Sequence, residues 1–173
     1  GGSTITQQVV KNTYLTAERT YTRKIVEIIL AQELEKRYSK ADIMEIYCNT
    51  NFYGNNCYGV EAASQFYFDK AATDLSIEEA ATLAGISNAP TRYDPLRHPD
   101  RAVTKRNQVL KSMETVGYLS EEEYEKAIST EFTISKNTQK STDEDYLSVY
   151  ALYAATIRMM EVTQFPFTYH FKD

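Results

Sequence analysis

The sequence predicts a mainly all-α fold, and three observations carry that expectation. Helix-capping pairs are densely spaced, apolar residues recur at three- and four-residue intervals, and alternating strand-like patterns are scarce. A Ser followed three residues later by Asp or Glu marks a helix start, because hydroxyl and carboxylate each satisfy an amide the helix leaves unpaired.

Taken in chain order, the opening segment with Gln7, Gln8 and Lys11 reads as a first helix, and Arg23 to Arg37 as a second. In the second, Ile25, Val26, Ile28, Ile29, Leu30 and Ala31 point in nearly every direction at 100° per residue, so this stretch is expected to be buried all round. Further starts are marked by Ser39 with Asp42, Ser76 with Glu79 and Ser120 with Glu123. Leu75 and Leu119 stand one residue before two of those serines, where an apolar side chain staples the incoming chain. Pro99 suits the first turn of another helix and Gly117 its end. Between them Val103, Val109, Leu110, Met113 and Val116 form one face, opposite Lys105, Asn107, Lys111 and Glu114. Two loops, Asn49 to Tyr58 and Ser87 to His98, are long enough to line a cleft. Residues 1–135 are thus expected to form the main domain and the polar stretch 136–145 a linker. Residues 146–173 read as the start of a connecting or second unit, helical over Tyr146 to Val162 and strand-like over Phe165 to Phe171.

Composition narrows the function. The 173 residues carry 19 basic and 24 acidic side chains, a net charge of −5, with 42% hydrophobic residues. That is enough apolar material for a core, and it excludes disordered, collagen-like and disulfide-scaffold classes. Interspersed charges of a mildly acidic balance give no field that would gather nucleic acid. No apolar run approaches the roughly 20 residues of a membrane span, and no signal peptide is evident. The chain opens at Gly1-Gly2-Ser3 and reads as a piece of a longer protein, so compartment is not encoded in its ends. Cys48, Cys57, His98 and His170 make no zinc pattern, and the two cysteines read as small thiols, with a disulfide as the alternative in an exported protein.

The chemistry-bearing residues cluster early. Glu27 is the lone charge in the apolar turn of the second helix, where a carboxylate is costly unless paired or working. Arg19, Arg23 and Glu27 fall at i, i+4 and i+8 and would share a face, either as an ion pair at a helix end or as a functional site. With Lys11 they suit a pyrophosphate, whose leaving-group charge cations stabilise, and Glu27 could hold a divalent metal by its oxygens. The opening GGST could cradle an anion at a helix start. Phe52, Tyr53 and Tyr58 read either as a sugar-stacking group or as packing.

The segments GGSTITQQVVKN, RKIVE, LEKRYSKADIMEIYCN, YGVEAASQFYFDK and LSIEEAATLAGISNAPTRYDPLRHP strongly resemble the peptidoglycan glycosyltransferase domain of class A penicillin-binding proteins, glycosyltransferase family 51. The resemblance runs from Gly1 to about Ala127. It implies a lysozyme-like, mainly α-helical domain that polymerises lipid II into glycan strands by an inverting displacement, with undecaprenyl pyrophosphate as leaving group. By the motif match, Lys11, Arg19 and Arg23 would contact the pyrophosphate region, and Glu27 would be the second family glutamate, stabilising the departing group or binding Mg or Mn. Gln8 and Asn49 would shape the cleft, and Lys105 or Arg106 would add a donor-site cation. Implied partners are lipid II, the growing glycan, the outer face of the bacterial cytoplasmic membrane, and a transpeptidase domain downstream of Asp173. The family block that carries the general base would lie upstream of Gly1, so the 173 residues alone are expected to be inactive or nearly so. Asp69 stands where the family usually has Gly, and Cys48 where it usually has Leu. The competing expectations are a non-catalytic module that binds lipid-linked precursor or scaffolds a wall-synthesis complex, and a lysozyme-like hydrolase of the same fold, which would need a poised general acid.

Overall fold

The computed structural model describes residues 2–14 and 20–135. Arg19, the linker stretch 136–145 and the tail 146–173 lie outside the described residues. Seven α-helices occur among the described residues: α1 (Ile5–Tyr14), α2 (Tyr21–Arg37), α3 (Lys40–Thr50), α4 (Val60–Phe68), α5 (Ile77–Asn88), α6 (Pro99–Thr115) and α7 (Glu121–Ser129), with a 3-10 turn at Ala72–Asp74. The only strand-like feature among them is an isolated bridge between Phe52 and Tyr58. The all-helical expectation holds. Two compact units divide the described chain, with the boundary between Tyr47 and Cys48 inside α3.

All three capping pairs form. Ser76 and Ser120 make reciprocal boxes with Glu79 and Glu123, and the Ser39 N–H donates to Asp42 while the Asp42 N–H donates to Ser39 Oγ at 3.1 Å. Thr4 Oγ1 accepts from the Gln7 amide at 3.2 Å and so starts α1; Thr20 does the same for α2 through Arg23. Pro99 opens α6, and Gly117 closes it with φ +82, a conformation that favours glycine.

In the first unit α1 packs on α2 through two small cores. Val10 meets Leu30 and Ala31, and Val9 meets Leu34 and Ile43. The expectation that the second helix is buried all round fails here. Glu27, Leu30, Ala31 and Leu34 are its buried residues, whereas Ile25, Ile28 and Ile29 are 59, 39 and 49% exposed. The physical reason is that α1 covers a single face, so the carboxylate faces inward and the isoleucines outward.

The second unit is built on α5 and α6. Helix α5 buries Ala81, Thr82, Leu83, Gly85 and Ile86, and α6 buries Ala102, Arg106 and Leu110 at four-residue spacing. Val116, expected on the apolar face of α6, caps the helix instead and is exposed. Tyr67 and Phe68 of α4 join Leu83 and Ile86 in the largest core, and Leu119 and Ala127 pack under α7 with Ala81 and Leu110. The loop after α3 turns through Gly54, Asn55 and Asn56, all at positive φ, which Gly and Asn tolerate best. Its tyrosine is not available for stacking, since Tyr53 is buried at 3% exposure, while Phe52 and Tyr58 stay exposed with ring centroids 4.8 Å apart. Both cysteines are free thiols, Cys57 buried and Cys48 half-buried.

Candidate functional site

In the first unit the buried Glu27 finds its partner one turn earlier. Lys24, on α2, donates to Glu27 Oε1, to Ser3 Oγ at 2.9 Å and to Gln7 Oε1 at 3.2 Å. Glu27 is 2% exposed and the Lys24 side chain 41%, so the pair runs from the interior to the surface. All three ammonium protons of Lys24 are thereby aimed, two of them at neutral acceptors from α1 and the segment before it. An anionic oxygen arriving at Lys24 would replace a neutral acceptor with a charge-assisted one, at little reorganisation because Glu27 already holds the ammonium.

The other early candidates lie on the same two helices. Arg23 is half-buried on α2, immediately before Lys24, and Lys11 is exposed in the last turn of α1. Gln8 donates from Nε2 to the Ser3 carbonyl at 3.4 Å, which ties the start of α1 to the segment carrying Ser3. Thr6 Oγ1 donates to Glu35 at 2.7 Å and adds a second polar tie between α1 and α2. The GGST opening is thus used for capping and for Lys24. The i, i+3 spacing of Lys24 and Glu27 is legible in the sequence, but the contacts of Lys24 with Ser3 and Gln7 span 21 and 17 positions, a separation that local spacing does not register.

A divalent metal prefers several oxygen ligands. Among the described residues no group of three His, Cys, Asp or Glu side chains could hold one, and Glu27 Oε1 already accepts from Lys24.

Asn49, Lys105 and Arg106 belong to the second unit. Asn49 sits in the last turn of α3 and is exposed, and its carbonyl lies so close to Gly59 that an added Cβ there would stand 2.8 Å from it. Lys105 reaches across the Tyr93 ring at 5.5 Å, and its stem occupies the space Gly85 leaves open. Arg106 corrects the expectation of a donor-site cation. It is 2% exposed and spends its donors on the end of α7, with Nη1 to the Thr130 carbonyl and Nη2 to the Ile128 carbonyl, each at 3.2 Å, and Nε to Asn107 at 2.9 Å. Burial pulls its pKa down, opposed by the Glu78 carboxylate. A buried guanidinium that closes a helix end is a clamp.

The loops are held by a buried polar network. Asn55 Nδ2 donates to the Tyr67 hydroxyl at 2.9 Å and to Asp94 at 3.3 Å, and Tyr67 donates to the Tyr53 carbonyl at 2.9 Å. Burial pushes the Tyr67 phenol well above its usual range, so it acts as a neutral donor. This network fixes the loop after α3 against the loop before α6.

Residues 1–114 match the family described as transglycosylase. Penicillin-binding protein 1A of Aquifex aeolicus is 46% identical over 153 residues, covering 88% of this chain and 21% of that protein. Penicillin-binding protein 4 of Bacillus subtilis is 38% identical over 148 residues, covering 86% and 24%. The crystal structure of penicillin-binding protein 1A from Haemophilus influenzae aligns with a TM-score of 0.51 at 27% identity, covering 89% of this chain and 19% of that one. The chain therefore spans about a fifth to a quarter of the length of these relatives. Among the described residues no helix is long and apolar enough to cross a membrane.

Proposed function

Because this chain belongs to the transglycosylase family, we propose that it is the glycan-polymerising part of a class A penicillin-binding protein, extending peptidoglycan strands from lipid II at the outer face of the cytoplasmic membrane. The observation that carries the reading is the buried Glu27 carboxylate holding Lys24, whose remaining donors point at exchangeable neutral acceptors. A transpeptidase domain downstream in the parent protein belongs to the same proposal.

In the proposed reaction the acceptor sugar's 4-hydroxyl oxygen attacks the anomeric carbon of the growing strand. The bond from that carbon to the pyrophosphate oxygen breaks with inversion, and undecaprenyl pyrophosphate leaves with the electron pair. Lys24, with Arg23 and Lys11, would meet the charge developing on the leaving oxygens. Glu27 keeps the Lys24 ammonium aimed, and Gln8 shapes the α1 side of the site. The hydroxyl proton passes to a general base, which the family resemblance puts upstream of Gly1.

The test is lipid II polymerisation by this chain and by the same chain extended upstream in its own reading frame. Polymer from the extended form is expected, with Glu27→Gln cutting its turnover at least about 100-fold. Arg23→Ala is expected to weaken lipid II binding in a titration. Polymer from neither form would favour a precursor-binding module, and muropeptides released from isolated peptidoglycan would replace the polymerase with a hydrolase.

A further inference from the structure

The loop after α3 presents two aromatic rings side by side to solvent. Phe52 and Tyr58 are the two halves of its antiparallel bridge, so their side chains leave the same face, with ring centroids 4.8 Å apart and planes tilted by 40°. The rings are 37 and 41% exposed, while their neighbours Asn51, Tyr53, Cys57 and Gly59 are buried on the other face. The backbone that carries them is fixed. The Tyr53 amide donates to the Cys57 carbonyl at 2.9 Å, the Cys57 amide to the Gly54 carbonyl at 2.8 Å and the Gly59 amide to the Asn51 carbonyl at 2.9 Å. The buried Tyr67 phenol holds the Tyr53 carbonyl as well. A cross-strand pair steadies a bridge only slightly, so local stability does not call for two large rings here.

We propose that Phe52 and Tyr58 form a platform on which a neutral sugar ring stacks. One face of a pyranose presents C–H groups that are apolar and slightly positive, the complement of the negative face of an aromatic ring. No charged residue lies between Glu45 and Glu61, so this loop holds nothing to pair with a phosphate or a charged peptide. What it does hold is amides. Asn49 and Asn56 are exposed, and each offers a donor and an acceptor suited to hydroxyl and acetamido groups. Asn56 stands two residues before Tyr58, and the Asn49 carbonyl lies against Gly59 immediately after it, so both border the Tyr58 end of the platform. Two half-exposed rings offer far less than the roughly 1,000 Å² that a stable protein interface buries, which argues for a small ligand over a second copy. Because the loop is already rigid, a sugar would dock without an ordering cost on the protein side. The choice of an N-acetylated hexosamine as that sugar rests on the glycan-polymerising reading, whereas the stacking rests on the rings and amides.

Titration of the 173-residue chain with a soluble tetramer of β-1,4-linked N-acetylglucosamine, read by aromatic and amide NMR shifts, tests the platform. Saturable shifts centred on residues 49–60 are expected, with affinity unchanged by added salt. Phe52→Leu and Tyr58→Leu, which keep apolar bulk but lose a ring face, should each weaken binding at least about tenfold, whereas Phe52→Tyr and Tyr58→Phe should retain it. Absence of saturable shifts, shifts centred elsewhere, leucine variants that bind as the parent does, or an affinity that falls with salt would each overturn the proposal. Ring shifts that need detergent micelles, or that track protein concentration without the tetramer, would overturn it too and assign the rings to lipid or to a second copy. Should a leucine variant fail to fold, the position of the shifts in the parent chain still decides. The readout is binding of a preformed oligomer, so failure of the extended chain to polymerise lipid II leaves the platform standing, and polymerisation without tetramer binding overturns the platform alone.

Discussion

Lys24 and Glu27 make a pair in which one partner is nearly solvent-free and the other bridges to the surface. Removing Lys24 as Met would leave a buried carboxylate without its cation. The expected loss is about 2–3 kcal/mol, below the about 3–5 typical of fully buried pairs because Lys24 is partly exposed. Adding Glu27→Gln to that variant should restore part of it, and urea unfolding of the four forms measures the coupling. Asp69 gives a second test at this scale. It closes α4 with φ +55 and ψ 40, the left-handed region in which glycine is at ease and other residues are strained. Asp69→Gly is expected to stabilise the protein by about 1 kcal/mol, seen as a raised melting temperature. The same φ accounts for the family's usual glycine at this position.

The elements are set largely by their ends. Each capping pair was legible because its partners lie three residues apart, and α3, α5 and α7 start where those pairs mark them. Their carboxylates also carry a pH dependence. For Glu79, burial pushes the pKa up, but the Ser76 amide and Lys70 outweigh it and the net shift is downward. Asp42 and Glu123 are lowered by their bonds to Ser39 and Ser120. A lowered folded-state pKa means the unfolded chain binds more protons between the two values, so stability is full above the ordinary carboxylate range of about 4 and falls as pH drops through the folded values. Urea midpoints should therefore decline below about pH 4. Glu79→Gln, which preserves the cap but cannot ionise, should make that decline shallower. Less legible was the burial of α2. Periodicity identified a helix there, but an apolar circumference does not say which side receives a partner, and α1 covers only the side that includes Glu27.

Across the whole molecule, Arg106 shows how a residue's role follows from its distant neighbours. It lies next to Lys105 in sequence, yet its guanidinium closes the end of α7 through carbonyls 22 and 24 positions away and stacks 5.8 Å from the Phe132 ring. Arg106→Met should cost about 2–3 kcal/mol and speed hydrogen exchange in α7 while leaving lipid II affinity unchanged, which a substrate contact would not allow. The sequence by itself determined the helical class, the starts of α3, α5, α6 and α7, the turn at Gly117 and the suspicion attached to Glu27, because each depends on residues within about one turn of one another. Tertiary structure decided that Lys24 also reaches Ser3 and Gln7, that Arg106 is a clamp, that Tyr53 is core and that three isoleucines of α2 face outward. Those outcomes depend on which surfaces meet, and contacts between residues 17 to 29 positions apart leave no periodic trace along the chain.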